Sequence, residues 1–235
     1  NKPTGQYADI SITSFYGMHM INCAGNGGMI TTNNEELYKE CMLLRSWGRS
    51  SSLFNDSEKI ENRFNVYLDN IQYDAKFIFE KVGYMMEPSE LGSAFGLVQL
   101  NKLDKILEKR KIAADKHFEY FKKYNHWFEL PIMNEKANSY WFAFPIIVKE
   151  KAPFNRTDMQ IFLEKRNIQT RVIFTGNALR QPAFKNIDKK VSKDGYPVAD
   201  RVMSNGILLA CHHGLNDQMF EHLYSSLDIF FKEYI

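Results

Sequence analysis

The sequence predicts an α/β fold in two parts, and three observations carry that reading. After residue 135 the hydrophobic period runs strand, helix, strand, helix, strand, helix, the order of a small α/β lobe. Before it, two short alternating runs flank a glycine-rich turn and lead into a capped helix. The 235 residues, 44% hydrophobic and 25% charged, have an ordinary globular composition and suffice for one large domain or two small ones. The expected parts are residues 1–110 and 111–235.

Taken in order, Asp9–Phe15 alternates Ile10 and Ile12 and ends at Phe15, which predicts a strand running into a polar turn. Gly25-Asn-Gly-Gly28 is a turn, and Met29–Thr32 a second short strand. Asn33 and Asn34 can cap a helix whose first turn holds Glu35 and Glu36, with Leu37, Cys41 and Leu44 on one face and Gly48 at its end. Residues 50–80 show no period and read as an extended loop. From Ser89, Leu91, Phe95 and Val98 restore the helical period, which runs to Lys123 as two helices or one bent one. Trp141–Val148 reads as a strand, Thr157 as the cap of a helix Asp158–Arg166, and Ile168–Phe174 as another strand. Residues 197–204 read as a helix and Ile207–Ala210 as a strand. Asn216 caps a last helix expected to bury Met219, Leu223, Leu227 and Phe230.

Thirty basic against 28 acidic side chains leave a net charge of +2, too balanced to point to a nucleic-acid partner. The run Glu108-Lys-Arg-Lys111 reads as a solvated helix face. No apolar run approaches the roughly 20 residues of a membrane helix. Three scattered cysteines, Cys23, Cys41 and Cys211, form neither a disulfide framework nor a zinc knuckle, and a reducing cytoplasm is the expected compartment. Cys211, His212 and His213 are adjacent on the chain, so they cannot readily converge on one ion, and no metal site is expected. Asn1–Gly5 reads as a loop, and the chain is expected to be the C-terminal part of a longer protein.

The segment Ser14-Phe-Tyr-Gly-Met-His-Met-Ile-Asn-Cys-Ala-Gly-Asn-Gly-Gly28 resembles the DegT/StrS-type sugar aminotransferases, fold type I pyridoxal-phosphate enzymes. Further segments agree in the same order: Leu44-Arg-Ser-Trp-Gly-Arg49, Val82-Gly-Tyr84, Ala94–Leu100, Phe174–Phe184 and Cys211-His-His-Gly214. The resemblance implies the aspartate-aminotransferase-like fold, with 1–110 the end of the large cofactor domain and 111–235 the small C-terminal α/β domain. It also implies a homodimer with shared active sites.

Where that family has its Schiff-base lysine, this sequence has His19, and no lysine occurs between Lys2 and Lys39. Histidine there resembles the 3-dehydratases of nucleotide-linked 4-keto-6-deoxy sugars, which hold the cofactor as pyridoxamine 5'-phosphate. The resemblance implies that His19 is the acid–base residue, a task suited to an imidazole whose ordinary pKa is about 6.5. Ser14 would donate its hydroxyl to the phosphate of pyridoxal 5'-phosphate or pyridoxamine 5'-phosphate. The relatives that carry a 2Fe–2S cluster need four thiolates, and Ser50-Ser-Ser-Leu-Phe54 offers none. The sequence is therefore similar to the cluster-free, GDP-4-keto-6-deoxy-mannose 3-dehydratase-like branch, which implies glutamate as amino donor.

Tyr84, Arg171, Asn177 and Arg180 are the expected substrate-binding residues. Arg171 is expected on the strand face opposite Ile168, Thr170 and Val172, able to meet a phosphate or carboxylate bidentately, with a surface ion pair as the even alternative. Tyr73-Asp74 and Lys76-Phe77 match a run of the dehydratase branch and are expected near the active site without assigned roles. Asn26 stands where glutamate is usual. Met85 stands where an asparagine commonly reaches the partner subunit's cofactor phosphate. These departures leave open a non-catalytic relative, beside an aminotransferase that uses an unrecognised lysine.

Overall fold

Along Ala143–Val148 every second residue is buried, with Phe144, Ile146 and Val148 at 0–2% exposure. That is the period-2 signature of a strand with one face on a core. The computed structural model describes residues 2–235, and the chain divides into two compact units, Asn1–Lys102 and Leu103–Ile235.

The first unit opens with β1 (Ser11–Ser14) and β2 (Gly28–Thr31), paired antiparallel. Helix α1 (Glu35–Arg45) follows, its first turn satisfied by the Asn34 side chain, which accepts from the Glu36 and Leu37 amides at 2.9 and 3.1 Å. The stretch expected to be a loop, 50–80, instead contains the single-turn helix α2 (Ile60–Arg63) and a hairpin of β3 (Val66–Leu68) and β4 (Ile71–Tyr73). Leu68 pairs with Ile71, so Asp69-Asn70 is a two-residue turn, and Asp69 takes the left-handed conformation (φ 54°) that such turns require. Helix α3 (Glu90–Leu100) ends the unit. Leu43 is the one hydrophobic side chain buried among its described residues, while Ile12, Val82 and Leu91 are 80%, 96% and 84% exposed.

The second unit begins with α4 (Leu103–Lys122), so the period that ran from Ser89 to Lys123 is two helices, and the units part eight residues before position 110. The strands β5 (Phe128–Glu129), β6 (Ala143–Val148) and β7 (Gly206–Ala210) form an antiparallel sheet in the order β5-β6-β7. Helices α5 (Arg156–Glu164), α6 (Pro197–Asn205) and α7 (Asp217–Lys232) complete the α/β lobe. Phe121, Phe128, Phe144, Leu163, Leu227 and Phe231 are fully buried in one core cluster. Each contributes about 1.5–3 kcal/mol of transfer free energy.

Three expectations in this lobe are corrected. The cap of α5 is Asn155, not Thr157: its side chain accepts from the Asp158 amide at 3.0 Å, and Asp158 accepts the Asn155 amide in return. Ile168–Phe174 is not a strand. It pairs with β7 only at Arg171, through mutual Arg171–Leu208 backbone bonds of 3.2 and 2.7 Å, and then turns at Phe174 (φ 46°). Met219 is half exposed on α7, because it lies in the first turn, where its amide is held by the Asn216 cap.

Two buried polar groups are matched to the core. His117 is fully buried, with Nε2 2.9 Å from the Ala210 carbonyl and Nδ1 3.1 Å from the Tyr224 hydroxyl. Burial holds its pKa down at about 4, so it is a neutral imidazole that donates from Nε2 and accepts at Nδ1. Arg110, 3% exposed, places Nη1 3.0, 3.0 and 2.9 Å from the carbonyl oxygens of Trp141, Phe142 and Cys211. No helix among the described residues is long and apolar enough to cross a membrane.

Candidate active site

The β1–β2 hairpin builds the site from the backbone outward. Ser14 pairs with Gly28 at the end of the ladder, and the Phe15 amide continues it to the Gly27 carbonyl at 2.9 Å. Residues 15–27 then fold back on themselves: Gly17 donates to Gly25 at 2.9 Å, Cys23 to Phe15 at 3.0 Å, and His19 to Tyr16 at 2.9 Å. The fold-back needs a glycine at 27. Its φ is +153°, and a Cβ there would lie 3.0 Å from the Cys23 Cβ and 3.3 Å from that of Phe15.

This loop carries both sequence-expected residues. The Ser14 hydroxyl, exposed at the end of β1, accepts the Tyr16 amide at 3.3 Å and keeps its own hydrogen to donate. The exposed His19 imidazole packs edge-on against the Tyr16 ring at 6.2 Å. Helix α3 anchors the loop. A Cβ on Gly92 would meet the Cys23 carbonyl at 3.0 Å, and one on Gly96 would meet Cys23 Sγ at 2.5 Å. Two glycines four residues apart thus make a bare stripe on which Cys23 sits. The alternating and capping patterns gave no sign of this contact, although the Gly92–Gly96 spacing was its signal.

A pyridoxal-type cofactor fits this hairpin in its donor set. The exposed Ser14 hydroxyl at a strand end, beside a turn kept bare by Gly27 and Gly28, can hold a phosphate oxygen. No lysine amine is present on the hairpin to hold the cofactor covalently. Between Ser14 and Cys23, His19 is the side chain whose ordinary pKa lies near neutral and which can both take up and give a proton there.

Tyr84 lies in the same unit, where its amide donates to Leu44 at 2.7 Å and its carbonyl accepts from Trp47 at 2.9 Å. This turn is packed backbone to backbone. Gly48 has φ +81°, and a Cβ there would lie 1.9 Å from the Lys81 oxygen. A Cβ on Gly83 would lie 2.3 Å from the Gly48 nitrogen. Asp74, from the 73–77 run, pairs with Arg63 and caps the turn 75–77, accepting from the Lys76 amide at 3.0 Å.

In the second unit Arg171 is exposed and donates to the Thr170 carbonyl at 2.7 Å, and its charge adds to the Thr170 hydrogen bonds that hold the Glu164 carboxyl below its ordinary range. Thr170 is buried, whereas Val172, expected on the same face, is 42% exposed. Asn177 and Arg180 come together on a residue that sequence reasoning missed, Asp200 of α6. Asn177 Nδ2 reaches Asp200 Oδ1 at 2.7 Å, while Arg180 grips the carboxylate with Nε and, at 2.7 Å, Nη2. Those donors push the Asp200 pKa down to about 2, the Arg180 hydrogen bond being the larger cause. Arg180 and Asp200 line an open cleft of about 600 Å³ with Glu150 and Arg201.

Cys211 is buried, with its thiol pushed up to about 11 by burial, and the His212 and His213 imidazoles are held below their ordinary range by burial and by Arg110. His212 Nδ1 accepts the Gly214 amide at 3.1 Å. No cluster of metal ligands occurs among the described residues.

The comparisons with known proteins agree with one another. A model of the DegT/DnrJ/EryC1/StrS aminotransferase family matches residues 1–228. The lipopolysaccharide biosynthesis protein RfbH of Salmonella typhimurium is 32% identical over 97% of this chain and 52% of its own length. The dTDP-4-dehydro-2,6-dideoxy-D-glucose 3-dehydratase of Saccharopolyspora spinosa is 31% identical over 95% of the chain and 48% of its own length. A crystal structure of GDP-4-keto-6-deoxymannose-3-dehydratase with a trapped PLP-glutamate geminal diamine superposes with a TM-score of 0.80 at 27% identity, over 97% of this chain and 56% of that one. The fold is therefore of the aminotransferase type. The chain spans about half the length of the curated relatives it matches.

Proposed function

Because the chain belongs to the DegT/DnrJ/EryC1/StrS aminotransferase family, we propose that the protein removes the C3 hydroxyl of a nucleotide-linked 4-keto-6-deoxyhexose, on the route to 3,6-dideoxy sugars of surface polysaccharides. The observation that carries the reading is the hairpin itself, which presents His19 and no lysine between Lys2 and Lys39. The dehydratases among the relatives support it.

Bound pyridoxamine 5'-phosphate would supply an amine for the sugar's C4 ketone and an electron sink. The protein's own part is acid–base and positional. Ser14 Oγ donates to a phosphate oxygen and fixes the cofactor at the strand end. A ring nitrogen of His19 would take a proton from the C4′ carbon of the bound cofactor, and the imidazolium would deliver that proton to the C3 oxygen so that water, rather than hydroxide, leaves. Tyr84, Arg171, Asn177 and Arg180 bind the nucleotide-sugar. Glutamate is the amino donor, a role supported by the glutamate adduct in the similar structure. In this reading the protein works as a cytoplasmic homodimer, as its resemblance to the family implies.

The test incubates the full-length protein with a nucleotide-linked 4-keto-6-deoxyhexose, the cofactor and glutamate, and identifies the product by mass spectrometry and NMR. A 3-deoxy product is expected. His19→Asn is expected to lower kcat by roughly 10²-fold or more with cofactor affinity retained. A 4-amino sugar with its C3 hydroxyl intact would overturn the reading.

A further inference from the structure

Arg49 is the guanidinium of the first unit that the chain surrounds with rings and leaves without an acceptor. Its Cζ lies 4.6 Å from the centre of the Trp47 ring and 5.5 Å from those of Phe77 and Phe79. Its Nε is buried, and no carboxylate, carbonyl or hydroxyl among the described residues accepts from the guanidinium. The neighbouring arginines differ: Arg63 pairs with Asp74, and Arg45 lies 3.3 Å from Glu87.

The cradle is built at a cost in backbone strain. Trp47 sits at φ +59°, a region that bulky residues rarely enter, and is followed by Gly48 at φ +81°. The Arg49–Phe79 bridge and the bonds from Glu80 to Gly48 and from Ser50 to Ile78, at 2.8 and 3.2 Å, fix both walls. Two sequence segments singled out for their resemblance, Trp47-Gly-Arg49 and Tyr73–Phe77, thereby converge on one cation. Aromatic faces order a guanidinium without consuming its N–H groups, which then present a fork matched to two oxygens of one anion.

We propose that Arg49 is an oxyanion-recognition residue that binds a carboxylate or phosphate group of a substrate through its guanidinium fork. The two sources considered, the carboxylate of glutamate and the diphosphate of the nucleotide-sugar, rest on the proposed dehydratase reading; the oxyanion chemistry does not.

The test titrates the full-length protein with L-glutamate, with GDP and with inorganic phosphate by calorimetry, for wild type, Arg49→Gln and Arg49→Lys. Arg49→Gln is expected to weaken at least one probe about 10- to 100-fold, and Arg49→Lys, which keeps charge but loses the fork, about fivefold or more. Loss confined to glutamate identifies the carboxylate source, and loss confined to GDP the phosphate source; either supports the proposal. Binding of all three probes within about twofold of wild type by folded Arg49→Gln overturns it, as does failure of wild type to bind any of them. If Arg49→Gln does not fold, Arg49→Lys decides, and unchanged affinity there overturns the proposal. These are binding constants, so they remain readable if the turnover assay yields no 3-deoxy product.

Discussion

The thiol of Cys23 fills the place where a Gly96 side chain would stand: a Cβ on Gly96 would lie 2.5 Å from Cys23 Sγ. Through this contact α3 holds the loop that presents His19. Gly96→Ala gains about 1 kcal/mol of helix propensity but overpacks the contact by about 1–3 kcal/mol. The expected net effect is destabilisation in the wild type and stabilisation in a Cys23→Ala background. Urea unfolding of the four proteins of that cycle checks the change of sign. Additive effects would mean that the loop does not rest on α3.

His117 makes stability depend on pH in a stated direction. Its folded pKa of about 4 lies below the ordinary 6.5, so the unfolded chain takes up the proton first. Stability from this group is therefore complete above pH 6.5 and falls as the pH drops toward 4, by about 3 kcal/mol over the whole window. Protonation also removes the acceptor that Nδ1 offers to Tyr224. Denaturation midpoints at pH 7 and pH 4.5 measure the loss, and the imidazole NMR signals should stay neutral at pH 6. A ring that titrates near 6.5 would contradict the assignment.

Arg110 ties the ends of β6 and β7 to α4, because its Nη1 shares two hydrogens among three carbonyl oxygens. Arg110→Met leaves those acceptors buried and unpaired, an expected cost of about 3–5 kcal/mol. A melting temperature unchanged from wild type would show that water replaces the guanidinium there.

Asp200 holds Asn177 and Arg180 in one arrangement, and with a pKa of about 2 it stays ionised throughout the neutral range. If these residues bind the nucleotide-sugar, Asp200→Asn should raise KM several-fold and leave kcat within about twofold. A fall in kcat at constant KM would place Asp200 in the chemistry instead.

Much of this was legible in the chain. Ile10 and Ile12 marked β1, Asn34 and Asn216 marked their helices, and the Gly25–Gly28 turn between two short strands marked the hairpin on which the proposed function rests. Elements whose pairing is mostly tertiary were not legible. Ile168–Phe174 alternates like a strand, but only Arg171 finds a partner on β7. The hairpin β3–β4 is three residues a side, too short for a period, and only Asp69-Asn70 signalled it. Side-chain constellations were the least visible. Nothing within 170–180 announces Asp200, and the three rings around Arg49 come from two segments separated by about 30 residues of sequence.

The central claim is that the cofactor is used without a lysine at the place of His19. Treating the full-length protein with pyridoxal 5'-phosphate and borohydride, then mapping peptides by mass spectrometry, tests it most directly. The account predicts no stoichiometric pyridoxyl-lysine, and release of the cofactor on denaturation. One lysine carrying a pyridoxyl group in every subunit would contradict it and return the protein to the aminotransferases.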